Sequence, residues 1–346
     1  AGQVGVLVVA GGQGTRLGFP HPKGMFPIGP ISAASLFQIH FEKVLATAKR
    51  YRTAVPVYVM TSPATHDETV AFLADHDRFG LPEHDVTVFC QGTMPAVDAA
   101  TGKLLMADRD RLFLSPDGHG GIVAALSRSG VADEMRARGL TELFFFQVDN
   151  PLVPICDPQL IGYHRLAKSE MTTVVVAKAS PWDRVGNAVS VDGKLRIIEY
   201  IDLPDDAATQ RAADGSLKIW AGSVAIHVFD FAFIERMLDS RTALPLHVSK
   251  KQVPSIDGHG AAVAPKEPNA LKFERFVFDL VPEARNAIVV ERARDEVFGP
   301  LKNAPGADVE TAQWVRGRML ALHRHWLQQA GVKLADGVEV EISGVQ

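Results

Sequence analysis

Residues 4–18 read VGVLVVAGGQGTRLG, a short apolar run followed at once by a glycine-rich loop. An apolar run of this length, rich in valine, predicts a strand that is buried on both faces, as strands of parallel sheets are. Helical patterns at 36–50 and 66–77 then alternate with β-branched runs at 55–60 and 86–89. This alternation predicts βαβ units and an α/β fold with a largely parallel sheet.

A second apolar run, LFFFQV at 143–148, ends in Asp149 and Asn150. It predicts a central strand that delivers polar side chains at its carboxyl end. Ligands of open α/β sheets bind at that edge. We therefore expect the functional site there, although an Asp after a strand is often only a loop cap.

The second half of the chain predicts a mixed architecture. An Asp-Gly pair at 192–193 between two short β patterns is typical of a type I′ hairpin turn. The expected elements are a helix at 158–168, a strand at 172–176, a hairpin at 188–191 and 195–200, a helix at 309–329 and a strand at 338–342.

Composition excludes several classes of protein. The 346 residues are 47% hydrophobic and carry a formal charge of −4 without long runs of one sign, so we expect neither nucleic acid nor a membrane surface as partner. Two cysteines are too few for a disulfide framework, and no apolar stretch approaches the roughly 20 residues of a membrane span. These features predict a cytoplasmic protein with small-molecule substrates. Because the chain begins without Met, we also expect sequence upstream.

The glycine loop predicts a phosphate site. Its glycines allow a ligand to approach the backbone closely, while Arg16 and Lys23 supply positive charge. Neither the dinucleotide fingerprint nor the Walker loop fits this spacing, and prolines at 20, 22 and 27 prevent a helix from following directly. The alternative is a glycine-rich turn with solvated basic residues.

Six segments in order resemble the UDP-sugar pyrophosphorylases, and most of all their UDP-N-acetylglucosamine branch. The segments are LVVAGGQGTRLGFPHPKG at 7–24, QGTMPA at 91–96, SPDGHGG at 115–121, QVDNPLV at 147–153, KFERFVFD at 272–279 and PLKNA at 300–304. The resemblance implies a Rossmann-like nucleotidyltransferase fold with a central mixed, largely parallel sheet. It divides the chain into a catalytic domain, 1–300, and a small C-terminal unit, 301–346, that is cut short.

The resemblance also implies the chemistry, which is transfer of a uridylyl group from UTP to a sugar 1-phosphate with Mg²⁺ as cofactor. Arg16, Lys23 and Lys302 match catalytic cations, and Asp149 matches the metal ligand. The positions that match nucleotide contacts are Ala10, Gly11, Gly12, Gly14, Gln91, Gly118 and Lys272. Among them, Gln91 and Gly118 match the positions that recognise uracil. Without the resemblance, Gln91, Lys272 and Lys302 would be taken as solvated surface residues.

Four positions match contacts to the sugar, namely His119, Gly186, Glu199 and Ser223. Two of them depart from the N-acetylglucosamine branch. Ser223 stands where that branch has Asn. His119 stands where that branch has another Asn, and a His at this position resembles the UDP-glucose enzymes. Glu199 alone would be an exposed residue of a hairpin strand. The sugar therefore stays open between N-acetylglucosamine and glucose, and a nucleotidyltransferase for another NTP or a catalytically silent nucleotide-sugar binding protein remain alternatives.

Overall fold

A computed structural model describes residues 2–240 and 244–343. The helices are α1 (Leu36–Tyr51), α2 (His66–Asp75), α3 (Ile122–Arg128), α4 (Val131–Ala137), α5 (Pro158–Leu166), α6 (Asp205–Ala208), α7 (Phe231–Ser240), α8 (Arg294–Val297) and α9 (Ala312–Gln329). The strands are β1 (Val4–Val9), β2 (Val57–Thr61), β3 (Val86–Cys90), β4 (Thr93–Pro95), β5 (Val97–Asp98), β6 (Met106–Asp108), β7 (Arg111–Leu112), β8 (Leu114–Pro116), β9 (Glu142–Gln147), β10 (Met171–Ala177), β11 (Gly186–Val191), β12 (Lys194–Ile198), β13 (Ala221–Asp230), β14 (His247–Lys251), β15 (Ser255–Ile256), β16 (Ala262–Val263), β17 (Ala270–Glu274) and β18 (Ala287–Glu291).

A mixed sheet forms the centre of the molecule. Its order is β12-β11-β13-β9-β1-β2-β3, and β10 adds β18 beside β13. Strands β9, β1, β2 and β3 are parallel, whereas β13 is antiparallel to β9, β10 and β11. The carboxyl ends of β1, β3 and β9 therefore lie along one edge, where the sequence predicts the site. A second sheet, β14-β17-β5, is small and antiparallel.

Helices cover both faces of the central sheet. Alternating side chains of β1 and β9 enter two separate apolar clusters, because successive side chains of a strand point to opposite faces. One cluster joins the sheet to α1, α2, α5 and α9, and the other joins it to α3, α4 and α7. The predicted α/β fold with a central mixed, largely parallel sheet is confirmed, and its helices make it a three-layer structure.

The predicted elements form, with shifts that local contacts explain. The hairpin turn is confirmed as type I′, since both Asp192 and Gly193 have positive φ, 52° and 75°. Helix α2 ends at Asp75 rather than 77, because residues 77–79 adopt left-handed backbone angles. Helix α9 begins at Ala312 rather than 309, because the Thr311 side chain accepts the N–H of Trp314 and caps the helix.

The strand predicted at 338–342 is wrong, since no ladder forms there within the described chain. The segment instead contacts the loop that precedes α1. The carboxylate of Glu341 accepts the N–H groups of Ile31 and Ser32 at 2.8 and 2.7 Å. Side-chain hydrogen bonds to another loop have replaced ladder pairing here. The division of the chain at residue 300 stays a prediction.

Candidate active site

The glycine loop after β1 folds back on itself. Gly14 N–H donates to His21 O at 2.9 Å, and Lys23 N–H donates to Gly12 O at 3.0 Å. Two short 3-10 turns, Thr15–Leu17 and Lys23–Met25, take the place of a helix, as the prolines predict. This fold places Lys23 beside Gly12. A Cβ added at Gly12 would have only the Lys23 side chain near it, with Cε at 3.9 Å.

Lys23 reaches the carboxylate at the end of β9. Its Nζ lies 3.1 Å from Oδ2 of Asp149, and both side chains are largely buried. Burial alone would raise the pKa of Asp149, but the charges of Lys23 and Lys302 outweigh it and hold the pKa below its usual value. Asp149 is therefore a carboxylate at neutral pH, flanked by two lysines.

The predicted uracil positions lie close to the same loop. Gln91 follows β3, is 8% exposed, and its Nε2 would lie 3.3 Å from a Cβ added at Gly11. The loop that carries Gly118 is tied to it, because Asp117 N–H donates to Gly92 O at 3.0 Å. Gly118 has φ +83°, and a Cβ there would come within 2.4 Å of Arg275 O. Only glycine fits that position without a backbone shift.

A polar cavity of about 150 Å³ opens beside Asp149. All four predicted sugar positions line it, together with the metal position and one predicted catalytic lysine. These residues are His119, Gly186, Glu199, Ser223, Asp149 and Lys302. Strand pairing explains part of the convergence, because Gly186 of β11 lies opposite Ser223 of β13. Burial raises the pKa of Glu199 although the charge of Lys302 opposes it.

His119 is fixed in one tautomer. Its Nδ1 accepts the N–H of Val277 at 3.0 Å, and its ring stacks on Phe276 at a centroid distance of 5.1 Å. Loss of hydration, with a smaller effect from His247, lowers the pKa of His119 to about 4. The ring is therefore neutral at pH 7, with its proton on Nε2, and can act as a donor.

Asn150, which sequence analysis noted without giving it a role, links the two sides of the site. Its Nδ2 donates to Val297 O at 2.8 Å, and its Oδ1 accepts the N–H of Gly299 at 3.0 Å. Leu301 N–H donates to Asp149 O at 2.8 Å. These bonds hold the segment that carries Lys302 against the end of β9. The sequence places Asn150 directly after Asp149, but no local pattern predicts these bonds to residues about 150 positions away.

The remaining predicted residues lie around this centre or away from it. Ala10 is buried at the end of β1, and Arg16 is exposed on the loop. Lys272 is not brought into the cavity; its ammonium lies over the ring of Phe113, 5.1 Å from the centroid. Sequence analysis missed Arg184, which lines the cavity from the loop before β11.

A larger cavity, of about 830 Å³, lies between α1, the loop at 151–158 and α9. Its lining includes none of the predicted site residues. The smaller cavity beside the strand ends is therefore the candidate active site. Asp149 lines this cavity, and Lys23 of the glycine loop contacts Asp149 without lining the cavity itself. A glycine loop and a carboxylate at the strand ends of an open α/β sheet indicate a nucleotide-binding enzyme, of the class of nucleotidyltransferases.

Comparison with known proteins narrows this class. The model of the UTP–glucose-1-phosphate uridylyltransferase family matches residues 1–325. The chain is 38% identical to the UDP-N-acetylhexosamine pyrophosphorylase-like protein 1 of Xenopus tropicalis, over 96% of this chain and 66% of that protein. It is 37% identical to the UDP-N-acetylglucosamine pyrophosphorylase of Saccharomyces cerevisiae, over 99% of this chain and 73% of that protein.

Comparison with solved structures agrees with the sequence comparison. A crystal structure assigned to the UDP-N-acetylglucosamine pyrophosphorylase of Entamoeba histolytica superposes with a TM-score of 0.91 at 31% identity, over 99% of this chain and 87% of that chain. The chain belongs to the UTP–glucose-1-phosphate uridylyltransferase family, whose members include UDP-sugar pyrophosphorylases. It spans about two thirds of the length of the first curated relatives that it matches.

Proposed function

We propose that this protein transfers the uridylyl group of UTP to N-acetylglucosamine 1-phosphate or a related hexose 1-phosphate, releasing pyrophosphate. The observation that carries the proposal is the cavity in which Asp149 and Lys302 meet the four positions implied for the sugar. A catalytically silent binding protein would not need a buried carboxylate between two lysines.

The reaction is a direct displacement at phosphorus. An oxygen of the sugar phosphate forms a bond to the α-phosphorus of UTP, and the bond from that phosphorus to the bridging oxygen of pyrophosphate breaks. The attacking oxygen is already anionic, so no protein base or nucleophile is required. Lys23, Arg16 and Lys302 position the anions and offset the charge of the transferring group.

Asp149 suits a magnesium ion. Magnesium is usually held by one or two carboxylates, with substrate phosphates and water as further ligands. The described residues contain no group of three or more His, Cys, Asp and Glu that could hold an ion without help. A single carboxylate beside the phosphates fits this pattern. Asp149 would hold the ion, which would supply positive charge beside the phosphates, and Lys23 would contact a phosphate oxygen.

The sugar is a further part of the proposal. Ser223 is shorter than the Asn of the N-acetylglucosamine branch, so one sugar hydroxyl lacks its amide partner. The loss of one specifying hydrogen bond weakens discrimination by about three- to tenfold, which is far less than a steric block would cause. We expect both N-acetylglucosamine 1-phosphate and glucose 1-phosphate to be used, the former somewhat better.

The test is to measure pyrophosphate release and kcat/KM with UTP and each sugar 1-phosphate, for the wild type and for Ser223→Asn. The substitution should sharpen the preference for N-acetylglucosamine. A wild-type preference for glucose beyond about a hundredfold would instead assign the chain to glucose, because one lost hydrogen bond cannot explain it. Turnover with ATP or GTP in place of UTP would contradict the role proposed for Gln91.

A further inference from the structure

A second cation lines the cavity besides Lys302. Arg184 lies in the loop between β10 and β11, two residues before Gly186, and is largely exposed. Within residues 2–240 and 244–343, no carboxylate forms an ion pair with it, although its neighbour Asp183 is paired with Arg294. A guanidinium without a carboxylate at the mouth of an anion site is available for a ligand.

The loop holds Arg184 in place through both of its neighbours. Asp183 receives two hydrogen bonds from the guanidinium of Arg294 and one from the N–H of Ala179. Val185, on the other side, is 5% exposed and packs against Gly222 of β13. The backbone at Arg184 is therefore held by its neighbours, and only the side chain has to be ordered when it binds a ligand.

The effect of the Arg184 charge on a neighbouring carboxyl also indicates where that charge lies. Burial raises the pKa of the Glu310 carboxyl, and the charges of Lys302 and Arg184 both act against that rise. The two cations thus act on one carboxyl, which places the Arg184 charge near the lysine and not only in solvent. Arg16 and Lys23, on the glycine loop, do not line the cavity that Arg184 and Lys302 share.

We propose that Arg184 binds the phosphate of the sugar 1-phosphate, and so determines the affinity for that substrate but not for UTP. The inference rests on the proposed function. Ser223 and Glu199, the positions implied for the sugar, share the cavity with Asp149 and Lys302. Arg184 lines the same cavity, so its guanidinium is a further cation available to the phosphate of a sugar bound there. Its planar fork can hold two phosphate oxygens at once, which a lysine cannot.

The experiment compares Arg184→Ala and Arg184→Lys with the wild type, varying UTP and N-acetylglucosamine 1-phosphate separately. Arg184→Ala should raise KM for the sugar phosphate about tenfold or more, as expected for a lost charge-assisted contact, with KM for UTP within twofold of wild type. Arg184→Lys should lie between the two. Arg196→Ala removes an exposed arginine from β12 of the same hairpin and should change neither value.

Unchanged KM for the sugar phosphate in Arg184→Ala would overturn the inference, and so would a rise in KM for UTP alone. If the wild type released no pyrophosphate with any sugar phosphate, the proposed function would be wrong, and the role of Arg184 would need a separate test. Calorimetric binding of N-acetylglucosamine 1-phosphate would then decide about Arg184. Weaker binding to Arg184→Ala would support its role, whereas equal binding, or none to either protein, would overturn it.

Discussion

The pair of Lys23 and Asp149 joins two segments that are far apart in the sequence. Lysine and carboxylate lie 3.1 Å apart across 126 residues. Such a largely buried pair contributes little net stability, because desolvation offsets most of the attraction. We propose that its value is functional, with Asp149 binding a metal ion and Lys23 a phosphate of the substrate.

Asp149→Asn tests the metal site at the residue level. The amide keeps the shape of the side chain but lacks the charge that a hard cation needs. We expect kcat to fall at least about a hundredfold, which is typical when one fixed electrostatic partner of a transferring group is removed. Chelation of divalent ions should abolish wild-type turnover, and added Mg²⁺ should restore it.

Exposed Asp239 offers the matched control, since it lies on α7 away from the cavity. Asp239→Asn should keep wild-type kcat. Turnover that persists in Asp149→Asn and also in the presence of a chelator would show that Asp149 holds no catalytic ion.

At the level of elements, the site depends on how the end of β9 meets the segment before Lys302. That segment has no regular structure between α8 and α9, so strand pairing does not fix it. Besides the backbone bond from Leu301 N–H to Asp149 O, Asn150, 3% exposed, supplies bonds to Val297 and Gly299. It is a positioning residue, because it acts on Lys302 and Asp149 through the backbone.

Asn150→Ala should lower kcat by about ten- to a hundredfold, because a displacement near 1 Å can cost that much. If Asn150 acts by placing Lys302, the same substitution in a Lys302→Ala background should cost much less. Equal factors in both backgrounds would leave only a structural role. Asn286→Ala, which removes a bond to Ala167 O outside the cavity, should not alter kcat.

The same elements explain what the sequence could predict. The β1 and β9 runs and the Asp192-Gly193 turn carry local signals, so their structures were predictable. The hydrogen bond from Gly299 to Asn150, 149 residues apart, depends on tertiary packing, and no local sequence pattern predicts it. Arg184 was missed for the same reason, because an isolated arginine before a hairpin is usually solvated. The failed strand at 338–342 has β-branched residues but no partner strand.

Over the whole molecule, buried histidines make the fold sensitive to acid. Burial lowers the pKa of His40 to about 3 and of His227 to about 3, and His119 adds a pKa of about 4. His40 of α1 packs against Phe146 of β9, His227 lies within β13, and His119 lies at the cavity. The three rings are neutral in the folded state, and the charge of His119 would also disfavour protonation of His227.

Each of these pKa values lies below the value of about 6.5 for an unfolded histidine. Below that pH the unfolded chain binds more protons than the folded one, so acid favours unfolding. The stabilising effect is fully present above about pH 6.5 and is lost as the pH falls toward 4 and 3. Each group adds a slope of about 1.4 kcal/mol per pH unit to the free energy of unfolding within that range.

Urea unfolding of His227→Gln at pH 7.5, 6.0 and 5.0 isolates one of the three. Glutamine can still bond to Thr173, the partner of Nδ1 at 3.0 Å, but does not titrate. Wild-type stability should fall between pH 6.0 and 5.0, and the variant should lose about 1.4 kcal/mol less over that unit. The exposed His259→Gln should follow the wild-type slope. If His227→Gln and the wild type lost stability in parallel, the buried ring at 227 would not be neutral in the folded state, and acid sensitivity would have to arise elsewhere.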